Sequence, residues 1–149
     1  MALGEALSRV LTPGMVLWLD GDLGAGKTTL VRALLRSLGH QGPVKSPTYT
    51  LVEVYFLSSI YWYHFDFYRF HHPEEFGEAG LGEYFRDDSV CLVEWPEKAA
   101  GFVPPADISL LFHFAATGRQ LELRALTPRG RDCLPCLKTL PTRFTNDGV

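Results

Sequence analysis

Gly21-Asp22-Leu23-Gly24-Ala25-Gly26-Lys27-Thr28, with Thr29 behind it, decides how this chain reads. The stretch fits G-x-x-x-x-G-K-[ST], the phosphate-binding P-loop. Glycines let the backbone wrap a phosphate without a Cβ in the way. Successive N–H groups then form an anion-binding nest, and the helix that follows adds its positive end. Lys27 is placed to reach the outer phosphates, Thr28 to offer a hydroxyl to Mg²⁺, and Thr29 to hydrogen-bond an inner phosphate.

Working outward, Met15-Val16-Leu17-Trp18-Leu19 is a short apolar run suited to a buried strand. Leu30, Val31, Leu34, Leu35 and Leu38 recur at helical spacing, and Gly39 supplies a stop. Strand, loop and helix thus stand in the order the motif requires. Leu3, Leu7, Val10 and Leu11 mark one face of an earlier helix, closed by Thr12-Pro13-Gly14. That helix begins almost at Met1 with no capping residue, which reads as a start lacking upstream sequence.

Beyond the loop 41–45, residues 50–56 are β-branched and aromatic and predict a strand. Ser58-Ser59 predicts a turn, and residues 60–66 a second strand antiparallel to the first, giving a mixed sheet. Residues 73–85 are weakly helical because Gly77, Gly80 and Gly82 interrupt them. Their acidic residues read as a solvated face, with a partner-docking surface as the alternative. Val90–Glu94 predicts a buried strand, and residues 108–115 and 120–126 two more, joined by a turn at Thr117-Gly118-Arg119. The expected fold is α/β, a P-loop NTPase-like mixed β-sheet flanked by helices in a single domain, residues 1–128. Residues 129–149 lose periodicity, contain Pro135 and Pro141, and read as a flexible C-terminal tail.

The 149 residues carry a net charge of −3 and are 46% hydrophobic, which fits one globular domain without a broad basic face for nucleic acid. No run approaches the ~20 apolar residues of a membrane span, and the N-terminus lacks signal-peptide character. Of three cysteines, Cys91 reads as a buried small hydrophobe. Cys133 and Cys136 lack the second pair a zinc site needs and sit in the expected tail. A reducing, cytoplasmic setting follows.

A P-loop needs acidic help. Mg²⁺ is held by few protein oxygens plus phosphates and water, and the carboxylate sits at the end of a strand beside the loop. Glu94 ends the apolar run 90–93 and is the candidate metal carboxylate, with Thr28. Asp66 ends the aromatic run 60–65 and is the candidate for orienting or deprotonating the attacking water. Thr48, in Ser46-Pro47-Thr48, stands where nucleotide switches sense the outer phosphate. Lys27, Thr48 and Asp66 are thus the candidate catalytic residues. His64 reads as a structural strand residue rather than a metal ligand. Trp95 is either core or a wall against solvent, and Arg119 either an exposed turn residue or a group reaching the nucleotide.

Gly-Asp-Leu-Gly-Ala-Gly-Lys-Thr-Thr at 21–29, Lys-Ser-Pro-Thr-Tyr-Thr-Leu-Val-Glu at 45–53, His-Phe-Asp-Phe-Tyr-Arg at 64–69 and Leu-Val-Glu-Trp-Pro-Glu at 92–97 together resemble the TsaE family. Its members are bacterial ATPases needed to make threonylcarbamoyladenosine in tRNA. The resemblance runs from about Leu3 to Leu126. It implies ATP as the nucleotide, Mg²⁺ at Thr28 and Glu94, and nucleotide contacts at Gly24, Ala25, Gly26, Lys27, Thr28 and Thr29. It further implies a functional role for Asp66 and Trp95 and a nucleotide contact at Arg119. The implied partners are TsaD, which transfers the threonylcarbamoyl group, and its companion TsaB, so tRNA is reached only indirectly. ATP hydrolysis would support repeated turnover of that machinery. Two departures stand out: the family's segment that helps enclose adenine precedes the first helix, and the stretch after Pro128 exceeds the family core.

Three rival readings remain. A small-molecule kinase would want an Arg-rich lid, which is absent. A GTPase would want Asn-Lys-x-Asp, and Asn146 is the sole asparagine. A non-hydrolysing nucleotide-dependent module would not need the paired acids. Sparse anchoring of the loop 41–45, which flanks the switch candidate Ser46-Pro47-Thr48, and of the segment 77–82 predicts slow ATPase activity alone and a rise on docking to partners.

Overall fold

The computed structural model describes residues 2–22, 26–115, 118–137 and 143–144, and of 114–115, 118–119 and 143–144 the backbone only. Seven strands form one sheet in the order β2-β3-β4-β1-β5-β6-β7. They are β1 (Val16–Asp20), β2 (Val52–Leu57), β3 (Ile60–Asp66), β4 (Ser89–Glu94), β5 (Ile108–Ala115), β6 (Gly118–Ala125) and the two-residue β7 (Arg143–Phe144). The four central strands β3, β4, β1 and β5 run parallel, while β2 pairs antiparallel to β3 and β6 antiparallel to β5, with β7 parallel to β6. The mixed sheet expected from the hairpin at 52–66 is therefore present. Ser58 and Ser59 both take left-handed φ values, 54° and 62°, the twist a two-residue hairpin turn requires.

Helices α1 (Ala2–Val10), α2 (Lys27–Ser37) and α4 (Pro128–Leu137) are joined to the sheet by one core that includes Leu7, Leu17, Leu19, Leu34, Leu92 and Leu134. Leu17 and Leu19 enter this core, whereas Val16 and Trp18 pack in a second one on the opposite face. This is the period-two alternation of a strand buried on both sides. The second core is aromatic: Tyr63, Phe65, Phe67, Phe70 and Phe76 gather under α3 (Glu75–Glu78) and the 3₁₀ turns 81–84 and 96–99. Gly80, at φ 68°, separates α3 from the turn after it, so the weak helical stretch is split. At Gly4 an added Cβ would lie 2.8 Å from the Ala33 Cβ, so glycine is what lets α1 lie against α2. Burial pushes the Cys91 thiol up to about 12, as befits a small core residue.

The stretch after Pro128 departs from the expected flexible tail. Residues Pro128–Leu137 are helical, and Cys133, Leu134 and Leu137 are buried against the first core. The start is well made. Thr127 Oγ1 accepts the Gly130 N–H at 3.1 Å, with Pro128 at the first helical position. Thr127 also donates to Asp107 Oδ1 at 2.7 Å, while Asp107 Oδ2 accepts the Val16 N–H at 2.9 Å. One buried carboxylate thus ties α4 to β1. The expectation for 138–142 and 145–149 lies outside the described residues. No helix among the described residues is long and apolar enough to cross a membrane.

Candidate functional site

The site is assembled at the carboxyl ends of β1, β4 and β3. Register sets Leu19 of β1 beside Glu94 of β4, and Glu94 beside Asp66 of β3. Leu19 and Leu92 face the core under α2, and Glu94 follows Leu92 by two residues. Side chains two apart share a face, so Glu94, Asp66 and His64 all point to the side where α2 begins.

Gly26 precedes α2 at φ 108°, a left-handed value that a residue with a Cβ resists, and no side chain among the described residues caps the helix. The N–H groups of the first turn are thus left for an external acceptor. Lys27, only 4% exposed, donates from Nζ to the Gly21 carbonyl at 2.6 Å and lies 3.7 Å from the Trp95 ring centroid. Burial pulls its ammonium below the usual range, opposed by the charges of Glu94, Asp66, Glu97 and Asp20. Trp95 holds its ring there from a left-handed backbone (φ 59°), a conformation that costs a non-glycine residue ~1 kcal/mol or more.

Thr28 Oγ1 donates to Glu94 Oε2 at 3.0 Å. The same oxygen meets His64 Nε2 at 2.6 Å. Asp66 is engaged through both oxygens. Oδ2 accepts from Ser46 Oγ at 3.0 Å and Thr48 Oγ1 at 3.3 Å, and Oδ1 from the Tyr68 N–H at 2.9 Å. The loop carrying Ser46 and Thr48 is therefore pinned to the end of β3. A cavity of about 290 Å³ opens among Gly26, Lys27, Thr28, Thr29, Ser46, Thr48, Asp66, Tyr68, Glu94 and Trp95.

Most residues singled out from sequence meet here: Gly26, Lys27, Thr28, Thr29, Thr48, Asp66, Glu94 and Trp95. Gly24 and Ala25 lie outside the described residues. Of Arg119 only the backbone is described, opposite Phe114 in the β5–β6 hairpin. Sequence reasoning missed Tyr68, whose ring centroid lies 5.0 Å from that of Trp95. It also missed Asp20 and Glu97. Asp20 is raised to about 6, first by burial and then by the neighbouring Glu97 carboxylate. Strand-end acids beside a P-loop could have flagged Asp20, but its proximity to Glu97 depends on the chain path after Trp95.

The donor set fits a metal-bound polyphosphate better than a bare anion. Lys27 is pressed by four carboxylates, so a free polyanion would meet surplus negative charge that a divalent cation offsets. Among the described residues no cluster of three or more His, Cys, Asp or Glu side chains forms a metal cage. Thr28 and Glu94 suit Mg²⁺, which takes few protein ligands and completes its shell from phosphate and water.

A family model described as threonylcarbamoyl adenosine biosynthesis protein TsaE matches residues 1–121. The Haemophilus influenzae tRNA threonylcarbamoyladenosine biosynthesis protein TsaE is 49% identical over 120 residues, 80% of this chain and 76% of that protein. The Bacillus subtilis protein of the same name is 43% identical over 132 residues, 82% of each chain. Among solved structures, that of Bacillus subtilis YdiB superposes with a TM-score of 0.74 at 30% identity, covering 93% of this chain and 86% of YdiB. A match over most of the length, on a fold whose strand ends converge at the head of α2, supports one conclusion: the chain belongs to the TsaE family.

Proposed function

We propose that this TsaE family member serves tRNA threonylcarbamoyladenosine biosynthesis as its Mg²⁺-dependent, ATP-binding and ATP-hydrolysing subunit, supporting turnover of a TsaB–TsaD complex. The observation that carries the reading is the contact of Thr28 with Glu94 at the head of α2, beside a buried Lys27. With its hydrogen given to Glu94, the Thr28 hydroxyl keeps its lone pairs for a cation. Mg²⁺ held there would screen the phosphates and polarise the outer one. Lys27 would exchange its carbonyl and ring contacts for phosphate oxygens. Gly24 through Thr29 would supply backbone donors, with Arg119 as a further nucleotide contact.

Asp66 orients the attacking water in this scheme, and Thr48, hydrogen-bonded to it, carries the state of the outer phosphate into the loop 46–48. A second reading keeps nucleotide binding without hydrolysis. It is favoured by Asp66 being already engaged through both oxygens, which suits a switch anchor.

Titration with a fluorescent ATP analogue, with and without Mg²⁺, tests the binding site. Lys27→Ala is expected to weaken binding by about tenfold to a hundredfold, the worth of a charge-assisted contact of ~1.5–3 kcal/mol. Unchanged affinity in a folded variant contradicts the assignment.

A further inference from the structure

His64 is wholly buried, at 0% exposure, on β3. Its register partner on β4 is Leu92, and Glu94 lies two residues further along the same face. The diagonal brings His64 Nε2 to 2.6 Å from Glu94 Oε2. The other ring nitrogen, Nδ1, is buried and has no hydrogen-bond partner among the described residues. A proton on Nδ1 would leave an unsatisfied N–H in the core, costing ~1–3 kcal/mol, whereas a proton on Nε2 is given directly to Glu94. The ring therefore carries its hydrogen on Nε2.

Glu94 Oε2 thus receives two donors, His64 Nε2 and Thr28 Oγ1. They approach from different elements, β3 and α2. Oε1 accepts no hydrogen bond from the described side chains. Two donors on one oxygen fix the carboxylate's rotation and leave the other oxygen for a ligand. The Thr28 contact alone would leave the carboxylate free to pivot about that one hydrogen bond.

We propose that His64 is a positioning residue for Mg²⁺: it locks the Glu94 carboxylate in the rotamer that offers Oε1 to the cation or its water shell. This rests on the reading of Glu94 as the metal carboxylate. Partners that orient a ligating side chain are generally worth ~10–100-fold in metal affinity. The role also explains why a polar ring occupies a position otherwise suited to an apolar residue in the centre of the sheet.

The test compares His64→Gln with His64→Asn by Mg²⁺ titration of ATP-analogue binding, which needs no turnover. Glutamine can place its amide nitrogen near the former Nε2, whereas the asparagine amide falls short of Glu94. Both remove the ring, so both lose similar packing. His64→Gln is expected to keep the Mg²⁺ half-saturation within about threefold, and His64→Asn to raise it about tenfold or more, with affinity in the absence of Mg²⁺ unchanged in both. Equal half-saturation in the two variants overturns the proposal. In the unmutated protein, long-range ¹H–¹⁵N spectra are expected to show His64 protonated on Nε2, so the proposal remains testable if a variant does not fold; protonation on Nδ1 alone overturns it. Nucleotide binding indifferent to Mg²⁺ in the unmutated protein overturns the metal reading and this role together. A Mg²⁺ dependence that His64→Asn does not move overturns only the role of His64.

Discussion

Glu94 and Asp66 are neighbours in register, yet their surroundings differ. Glu94 is shared with Thr28 at the head of α2, and Asp66 with the loop residues Ser46 and Thr48. Glu94→Ala is accordingly expected to raise the Mg²⁺ concentration needed for nucleotide binding. Asp66→Ala is expected to lower turnover with little change in binding. Identical Mg²⁺ profiles for the two variants would remove this division. Asp20 makes a different prediction, about stability. Its carboxyl is raised from 3.8 to about 6, first by burial and then by Glu97, despite a hydrogen bond from Ser109 at 3.4 Å. The folded state therefore holds this proton more tightly than the unfolded chain does. Stability is lost as pH rises from 3.8 to about 6, and the penalty is complete above that window. Asp20→Asn is expected to stabilise by about 1 kcal/mol at neutral pH, after allowance for solvent screening at this partly exposed position. The gain should vanish toward the lower end of the window. Thermal melts at the two pH values check it, and a gain independent of pH would show that Asp20 is not the cause.

At the level of elements, α4 shows where sequence and structure part. The strand before and the helix after the 21–28 motif, the β2–β3 hairpin, the pair β5 and β6 and the acids at the ends of β3 and β4 were legible, because each rests on local pattern: apolar runs, turn residues and a motif with fixed spacing. The turn expected at 117–119 is displaced, since Gly118 and Arg119 belong to β6 and Thr117 lies outside the described residues. The helix at 128–137 was not legible. Pro135 read as a breaker, and α4 accepts it by forgoing one backbone bond near its end. The overlooked signals were Thr127-Pro128 as a cap and first turn, and Cys133, Leu134 and Leu137 at helical spacing. Likewise His64 read as an ordinary strand residue, since its partner Glu94 lies thirty positions away and only strand register brings them together. Gly130 tests the packing of α4. An added Cβ would overlap the Asp107 carbonyl oxygen. Gly130→Ala is therefore expected to destabilise by about 2 kcal/mol, although alanine is the better helix former by ~1 kcal/mol. Gly77, in α3, has nothing within 4 Å of an added Cβ. Gly77→Ala is expected to be neutral or stabilising by up to ~1 kcal/mol. Urea unfolding midpoints of the two variants check the pair, and a stabilising Gly130→Ala would contradict the close approach of α4 to the chain before β5.

Over the whole molecule, the carboxyl ends of the parallel strands carry the candidate site, and the helices behind them supply its base. The loop bearing Ser46 and Thr48 is tied to that base. Its anchors are Asp66 and, beyond the site, Arg69, which donates to the Tyr49 hydroxyl at 2.7 Å and lies 4.0 Å from its ring centroid. Tyr49 is otherwise 81% exposed, so a docked protein could bear directly on this loop. Such docking would order the loop against the phosphates, and a cation supplied in trans can add ~10³–10⁵ in rate. The net charge of −3 gives free tRNA no comparable hold. The most direct test of a partner-activated Mg²⁺-ATPase is steady-state phosphate release from the protein alone, with the TsaB–TsaD complex, and with tRNA only. The expected result is slow release alone, a marked rise with the complex, and no rise with tRNA only; full activity in isolation, stimulation by tRNA without the complex, or no release under any of the three conditions would contradict it.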